Sequence, residues 1–207
     1  METRRTRLDP LAITILVGCC ALWGLNHAIT KLTLAEIPPL LQAGLRSVGG
    51  AVLVALWAWR QGISLGIRNG TLPGGLLAGT TFAAEFACIY IGLQYTAASR
   101  MIVFIYLAPF VVALGMPLVA RSERPTAAQL GGLAVAFGGV AWAFAEGLTG
   151  QPAPGQEQRW IGDTLGVVAA LFWGANTLCL RGSKLATASP VQTLYYQLAI
   201  SGPLLLA

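Results

Sequence analysis

Seven long runs almost free of charge, at about 11–30, 39–59, 73–95, 101–120, 127–145, 162–180 and 190–207, constrain this chain more than anything else in it. Each is close to the roughly 20 apolar residues that an α-helix needs to cross a hydrocarbon core about 30 Å thick. A backbone inside lipid must satisfy its own N–H and C=O groups, so runs of this kind are read as helices. The first follows Arg4, Arg5 and Arg7 as a secretory leader would, but it continues to Thr30 and further runs succeed it. It therefore reads as a retained membrane helix. The expected fold class is all-α, a polytopic transmembrane helix bundle whose first partner is the lipid bilayer.

Composition excludes the soluble alternatives. Only 10% of residues are charged and 56% are hydrophobic, whereas a soluble domain carries about 25% charged residues and could not hide this much apolar surface. The net charge of +5 comes from basic residues scattered between the runs, not gathered into a patch, so nucleic acid is not an expected partner. Cys19, Cys20, Cys88 and Cys179 lie inside apolar runs without CxxC or Cys/His spacing, and read as packing residues. The sequence has no HExxH, no GxxxxGK[ST] loop and no nucleophile with a matching base. Neither an enzyme nor an ATP-driven pump is expected, and no cofactor or metal.

The basic residues also set the topology. With the N-terminus inside, Arg4, Arg5, Arg7, Arg60, Arg68, Arg121, Arg124, Arg181 and Lys184 are cytoplasmic, while Lys31, Arg100 and Arg159 are outside. Nine against three favours N-in.

The chain repeats itself. Trp23-Gly24-Leu25-Asn26 is matched by Trp173-Gly174-Ala175-Asn176 at an offset of 150, and the seven-residue step from Pro39 to Arg46 by that from Pro190 to Gln197. The Gly/Pro/Gln-rich stretch from Glu146 to Trp160 separates the copies. The domains read as 1–147, a first five-helix repeat; 148–161, a periplasmic linker; and 162–207, the start of a second repeat. Five helices is an odd number, so the second copy enters the membrane from the other face, an inverted repeat of the kind many secondary transporters use. The second copy supplies two helices before Ala207, so by symmetry about seven of ten expected spans are present.

In this order the motifs resemble the EamA family of the drug/metabolite transporter superfamily. The resemblance rests on Trp-Gly-x-Asn followed by Lys31, on Arg46 early in the second helix, and on Ala97-Ala98-Ser99 to Ala108-Pro109 in the fourth. It continues in Arg121-Ser122-Glu123-Arg124 leading to Gln129-Leu130-Gly131-Gly132 and Gly138-Gly139 in the fifth. It implies ten helices in two inverted repeats and export of small metabolites such as amino acids or drugs by alternating access. The alternative is a truncated membrane fragment or assembly subunit that does not transport. The richness in Ala, Gly and Arg over Lys points to a GC-rich bacterial genome and hence the bacterial inner membrane. A homodimer stays open.

Ionisable groups inside a bilayer cost several kcal/mol unless paired or wetted. By the 1.5 Å rise of a helix, Arg46 and Glu85 fall at similar depth, and are expected either to pair across a central cavity or to bind and couple. Asn26 and His27 lie at comparable depth. His27 is the only histidine, and an unperturbed pKa near 6.5 suits a proton-linked step as well as an interfacial position. Asn176 and Gln197 are the repeat-related polar positions, read as vestibule lining or as interhelical hydrogen bonding. Trp23 and Trp173 sit well inside their helices, away from the interface where tryptophan collects, and read as a substrate-stacking wall or as packing. Pro109, Pro117 and Pro203 are expected inside spans as kinks, and Gly70, Gly74, Gly75 and Gly79 as helix-packing positions.

Overall fold

The computed structural model describes residues 10–66, 70–120, 124–150 and 157–207. Arg4, Arg5, Arg7, Arg68, Arg121, Glu123 and part of the expected linker lie outside the described residues. Among those described, every regular element is helical: α1 (Pro10–Thr33), α2 (Pro39–Arg60), α3 (Leu72–Tyr95), α4 (Ala98–Ile105), α5 (Ala108–Val119), α6 (Ala127–Ala143), α7 (Ala145–Thr149), α8 (Arg159–Gly182) and α9 (Pro190–Leu206). A 3₁₀ turn at Lys184–Thr187 precedes α9.

The helix starts follow from local chemistry. Pro39, Pro73 and Pro190 occupy first-turn positions, where a missing N–H costs nothing. Ser189 caps α9 by accepting from the Gln192 N–H at 3.1 Å. Thr126 and Gln129 form a reciprocal capping box on α6. The fourth span runs over Ala98–Val119 and is interrupted by the turn at Tyr106–Leu107, which divides it into α4 and α5. The break falls just before Pro109, which lacks the N–H that would bond back to the preceding turn. Pro117 and Pro203 do lie inside helices. With α4 and α5 counted as one broken span, five helices are long and apolar enough to cross a membrane, while α6 and α9 have 17 residues each.

α3 is the centre of the bundle. It packs along α8 and α9, with α2 against α9 and the α4–α5 pair against α8. The glycines allow this. A Cβ on Gly75 would stand 2.7 Å from the Tyr196 ring, one on Gly79 2.5 Å from Ile200, and one on Gly162 2.7 Å from the Gly92 carbonyl oxygen. Small residues let helix backbones approach where lipid offers no hydrophobic drive to associate. The dry core combines Phe86, Ile89, Tyr90 and Leu93 of α3 with Met101 and Ile105 of α4 and Ala169 of α8. α1 and α6 are peripheral: only 6% of the apolar window of α1 is buried, and no residue of α6 is.

One end of the bundle gathers the ends of α1 and α3 and the starts of α4 and α8, tied together by polar contacts. The opposite end gathers the starts of α3 and α9 and the end of α8.

Candidate functional site

Between these ends lies a polar cavity of about 510 Å³. α1 supplies Trp23 and Asn26, α2 Arg46, α3 Glu85, α8 Trp173 and Asn176, and α9 Gln197. Seven of the eight residues singled out from the sequence therefore share one cavity. It runs from mid-bundle toward the end where α8 finishes and α9 begins, since Leu180 and Leu194 also line it. In the other direction Tyr90, Leu93, Met101 and Ala169 fill the bundle.

Two polar features shape this cavity. Glu85 is only 4% exposed, and the Arg46 guanidinium carbon stands 4.4 Å from the centroid of the Phe86 ring. That is a cation–π contact, which steadies a guanidinium without neutralising it. Of the two alternatives for Arg46 and Glu85, the structure has them face the same space, and among the described residues no ion pair joins them. Depth along a helix says nothing of direction around it, and Phe86, next to Glu85 in sequence, occupies the place against the guanidinium. On the other wall, Gln197 Nε2 donates to Asn176 Oδ1 at 3.2 Å. The two side chains bond across α8 and α9 and also line the cavity.

Trp23 and Trp173 meet at 5.1 Å between ring centroids, tilted by 36°. They form the partition to a second, more apolar cavity of about 220 Å³ that contains Cys20, Ile102, Tyr106 and His27. His27 is thus the exception among the eight. It is 8% exposed and, about 100° around α1 from Asn26, faces this second space. A larger groove of about 710 Å³ between α5 and α6 also touches Trp173. Its walls are mainly Ala, Pro, Val and Leu, with Arg124 and Gln129 at the rim and no opposed charges. The smaller polar cavity is therefore the candidate site.

Reasoning from sequence missed one cluster. Arg100 Nε donates to Asp163 Oδ1 at 3.1 Å and its Nη2 to Oδ2, the Thr96 hydroxyl donates to the same carboxylate at 2.9 Å, and Arg100 Nη1 donates to the Leu148 carbonyl at 2.6 Å. Lys31 donates to the carbonyls of Leu93 and Thr96 at the end of α3, where the helix dipole favours a cation. The count of basic residues sets Arg100 and Lys31 on the outer side without showing a partner for either. Asp163 carried only a weak signal, because it is the second residue of the sixth apolar run, at a span end where a charge costs far less than at the depth of Arg46 and Glu85.

Comparison with known proteins identifies the family. Residues 10–145 match the EamA-like transporter family. The chain is 30% identical over 81% of its length to a probable amino-acid metabolite efflux pump of Escherichia coli, and 32% identical over 81% to a protein of the same description from Salmonella typhimurium. It is 27% identical over 77% of its length to the uncharacterized transporter YvbV of Bacillus subtilis. The matched region covers 51%, 51% and 50% of those relatives, so the chain spans about half of their length. No solved structure matches the chain significantly. A multi-pass helical membrane protein with this match over most of its residues belongs to the EamA-like transporter family.

Proposed function

We propose that the chain forms the substrate cavity of a secondary transporter that exports small metabolites, amino acids among them, by alternating access between inverted repeats. The observation that carries this is the convergence of both copies on one cavity: Trp23, Asn26, Arg46 and Glu85 from the first, and Trp173, Asn176 and Gln197 from the second. A guanidinium and a carboxyl group that line one space without an ion pair between them suit a zwitterion. Arg46 would take a carboxylate, as a planar donor fork does well, and Glu85 an ammonium. The Trp23–Trp173 wall would stack an apolar side chain, and Asn26, Asn176 and Gln197 would orient the solute by hydrogen bonds. The descriptions of the relatives as amino-acid metabolite efflux pumps point the same way.

In the N-in orientation, favoured by the basic residues, the cavity opens toward the cytoplasm of a bacterial cell and the tied end faces the periplasm. That is the state in which an exporter loads. A proton-linked step would run through Glu85 rather than His27, because His27 stands behind the tryptophan partition.

The test is to express the reading frame that contains this segment and measure uptake of an amino-acid and metabolite panel into everted vesicles. Uptake that falls at least tenfold in Arg46→Leu and in Glu85→Leu supports the reading. Correctly folded protein that moves nothing in the panel counts against it.

A further inference from the structure

The polar network at the tied end joins parts that a transport cycle would have to separate. Arg100 sits in the first turn of α4 and Asp163 in the second turn of α8, on opposite sides of the seam between the two expected repeats. Thr96 adds the end of α3, and Arg100 and Arg159 reach the carbonyls of Leu148 and Gly150, drawing α7 over the same end. The helices close tightly here, with Gly162 against the Gly92 carbonyl and Thr96. Directly beneath, Leu93, Met101 and Ala169 are each 0% exposed and form a dry plug between the network and the cavity.

A partly buried ion pair is a poor choice for a mere staple, since desolvation offsets most of its attraction and apolar packing does as well. It suits a contact that must open, because water re-solvates both partners once they part. The backbone supplies a place to bend. α4 is 8 residues long and meets α5 at the Tyr106–Leu107 turn just ahead of Pro109, so the α4–α5 pair has a place to bend, and opening would have to lift Met101 and Ile105 of α4 from their packing against α3 and α8. The opposite end has hydrogen bonds of its own, among them Gln192 to the Gly66 carbonyl at 2.9 Å and Thr71 with Tyr196 at 3.1 Å.

The geometry points to α4 as a gate, latched shut by Arg100 and Asp163 and hinged at Tyr106–Leu107, which must unlatch for the cavity to reach the tied face. This rests on the transporter reading above.

The experiment places a reporter in the plug, Ala169→Cys, in a chain whose four native cysteines are replaced by alanine. Its labelling by a membrane-impermeant maleimide is followed in right-side-out and in everted vesicles. Asp163→Asn and Arg100→Gln should raise the labelling rate at least tenfold from one face only, Arg100→Lys should raise it less, and Thr96→Val about two- to threefold, as expected when a minor open state gains population. If the charge variants fail to fold, Thr96→Val, which removes one hydroxyl without changing shape, still decides. Labelling unchanged from both faces in folded protein would make the network a staple and overturn the gate. Labelling does not depend on uptake, so a rise in rate in a chain that moves no metabolite would keep the gate while removing the transport reading.

Discussion

α1 and α8 are both 24 residues long and carry the same Trp-Gly-x-Asn segment, yet they occupy opposite surroundings. α8 lies between α3, α4 and α5, with Gly162, Gly166, Ala169, Ala170, Gly174 and Asn176 buried. α1 buries only His27 and Thr30, and leaves Trp23 46% exposed. The motif therefore does not encode burial. It sets an aromatic, a small and an amide residue at fixed angles around a helix, and the neighbours decide what each one meets. On α8 the glycine meets a dense seam, while the tryptophan and the amide line the cavity. On α1 the tryptophan and the amide reach into the cavity while the rest of the helix presents an apolar face that a bilayer tolerates.

The paired glycines sharpen this most. A Cβ on Gly174 would stand 2.6 Å from Val111 Cβ and 3.5 Å from the Ala108 carbonyl oxygen, whereas one on Gly24 meets nothing within 4 Å. Gly174→Leu is expected to destabilise by about 3 kcal/mol, the upper range for overpacking, and Gly24→Leu by under about 0.5 kcal/mol, as for an unpacked surface site. Thermal unfolding in detergent reads both, and equal losses would break the comparison. The tryptophans come next. Trp173 borders three cavities and Trp23 two, so Trp173→Ala should cost about 2 kcal/mol and Trp23→Ala about 1 kcal/mol, both reduced from the fully buried case by partial exposure. The reverse order would mean that α1, not α8, holds the partition. The smallest difference is at the amides. Asn176→Ala removes the acceptor of Gln197 at a 4% exposed site and should cost about 1 kcal/mol, and Asn26→Ala less than half of that, measured in the same way.

What was legible in the sequence follows the same division. The seven runs correspond to helices because length and hydropathy are local properties, and the cavity residues were found because a polar group in an apolar run is costly wherever it points. Azimuth was not legible. Rise along a helix placed Arg46 and Glu85 at one height but could not show that Phe86 takes the guanidinium, nor that His27 turns away from its neighbour Asn26. The break at Tyr106–Leu107 was half visible in Ala108-Pro109, which marks a helix start as readily as a kink. The Arg100–Asp163 contact joins positions 63 residues apart, a tertiary fact that no local pattern carries.

The account turns on the claim that Arg46 and Glu85 act on a solute and not on each other. The direct measurement is binding of a radiolabelled amino acid that the vesicle panel identifies, to purified wild type, Arg46→Leu, Glu85→Leu and the double variant. The account predicts at least a tenfold loss of affinity, about 1.4 kcal/mol, for each single change. The double variant should bind more weakly than either single variant, since each group takes a different end of the solute. Unchanged affinity in both single variants, or a double variant no weaker than either, would contradict it.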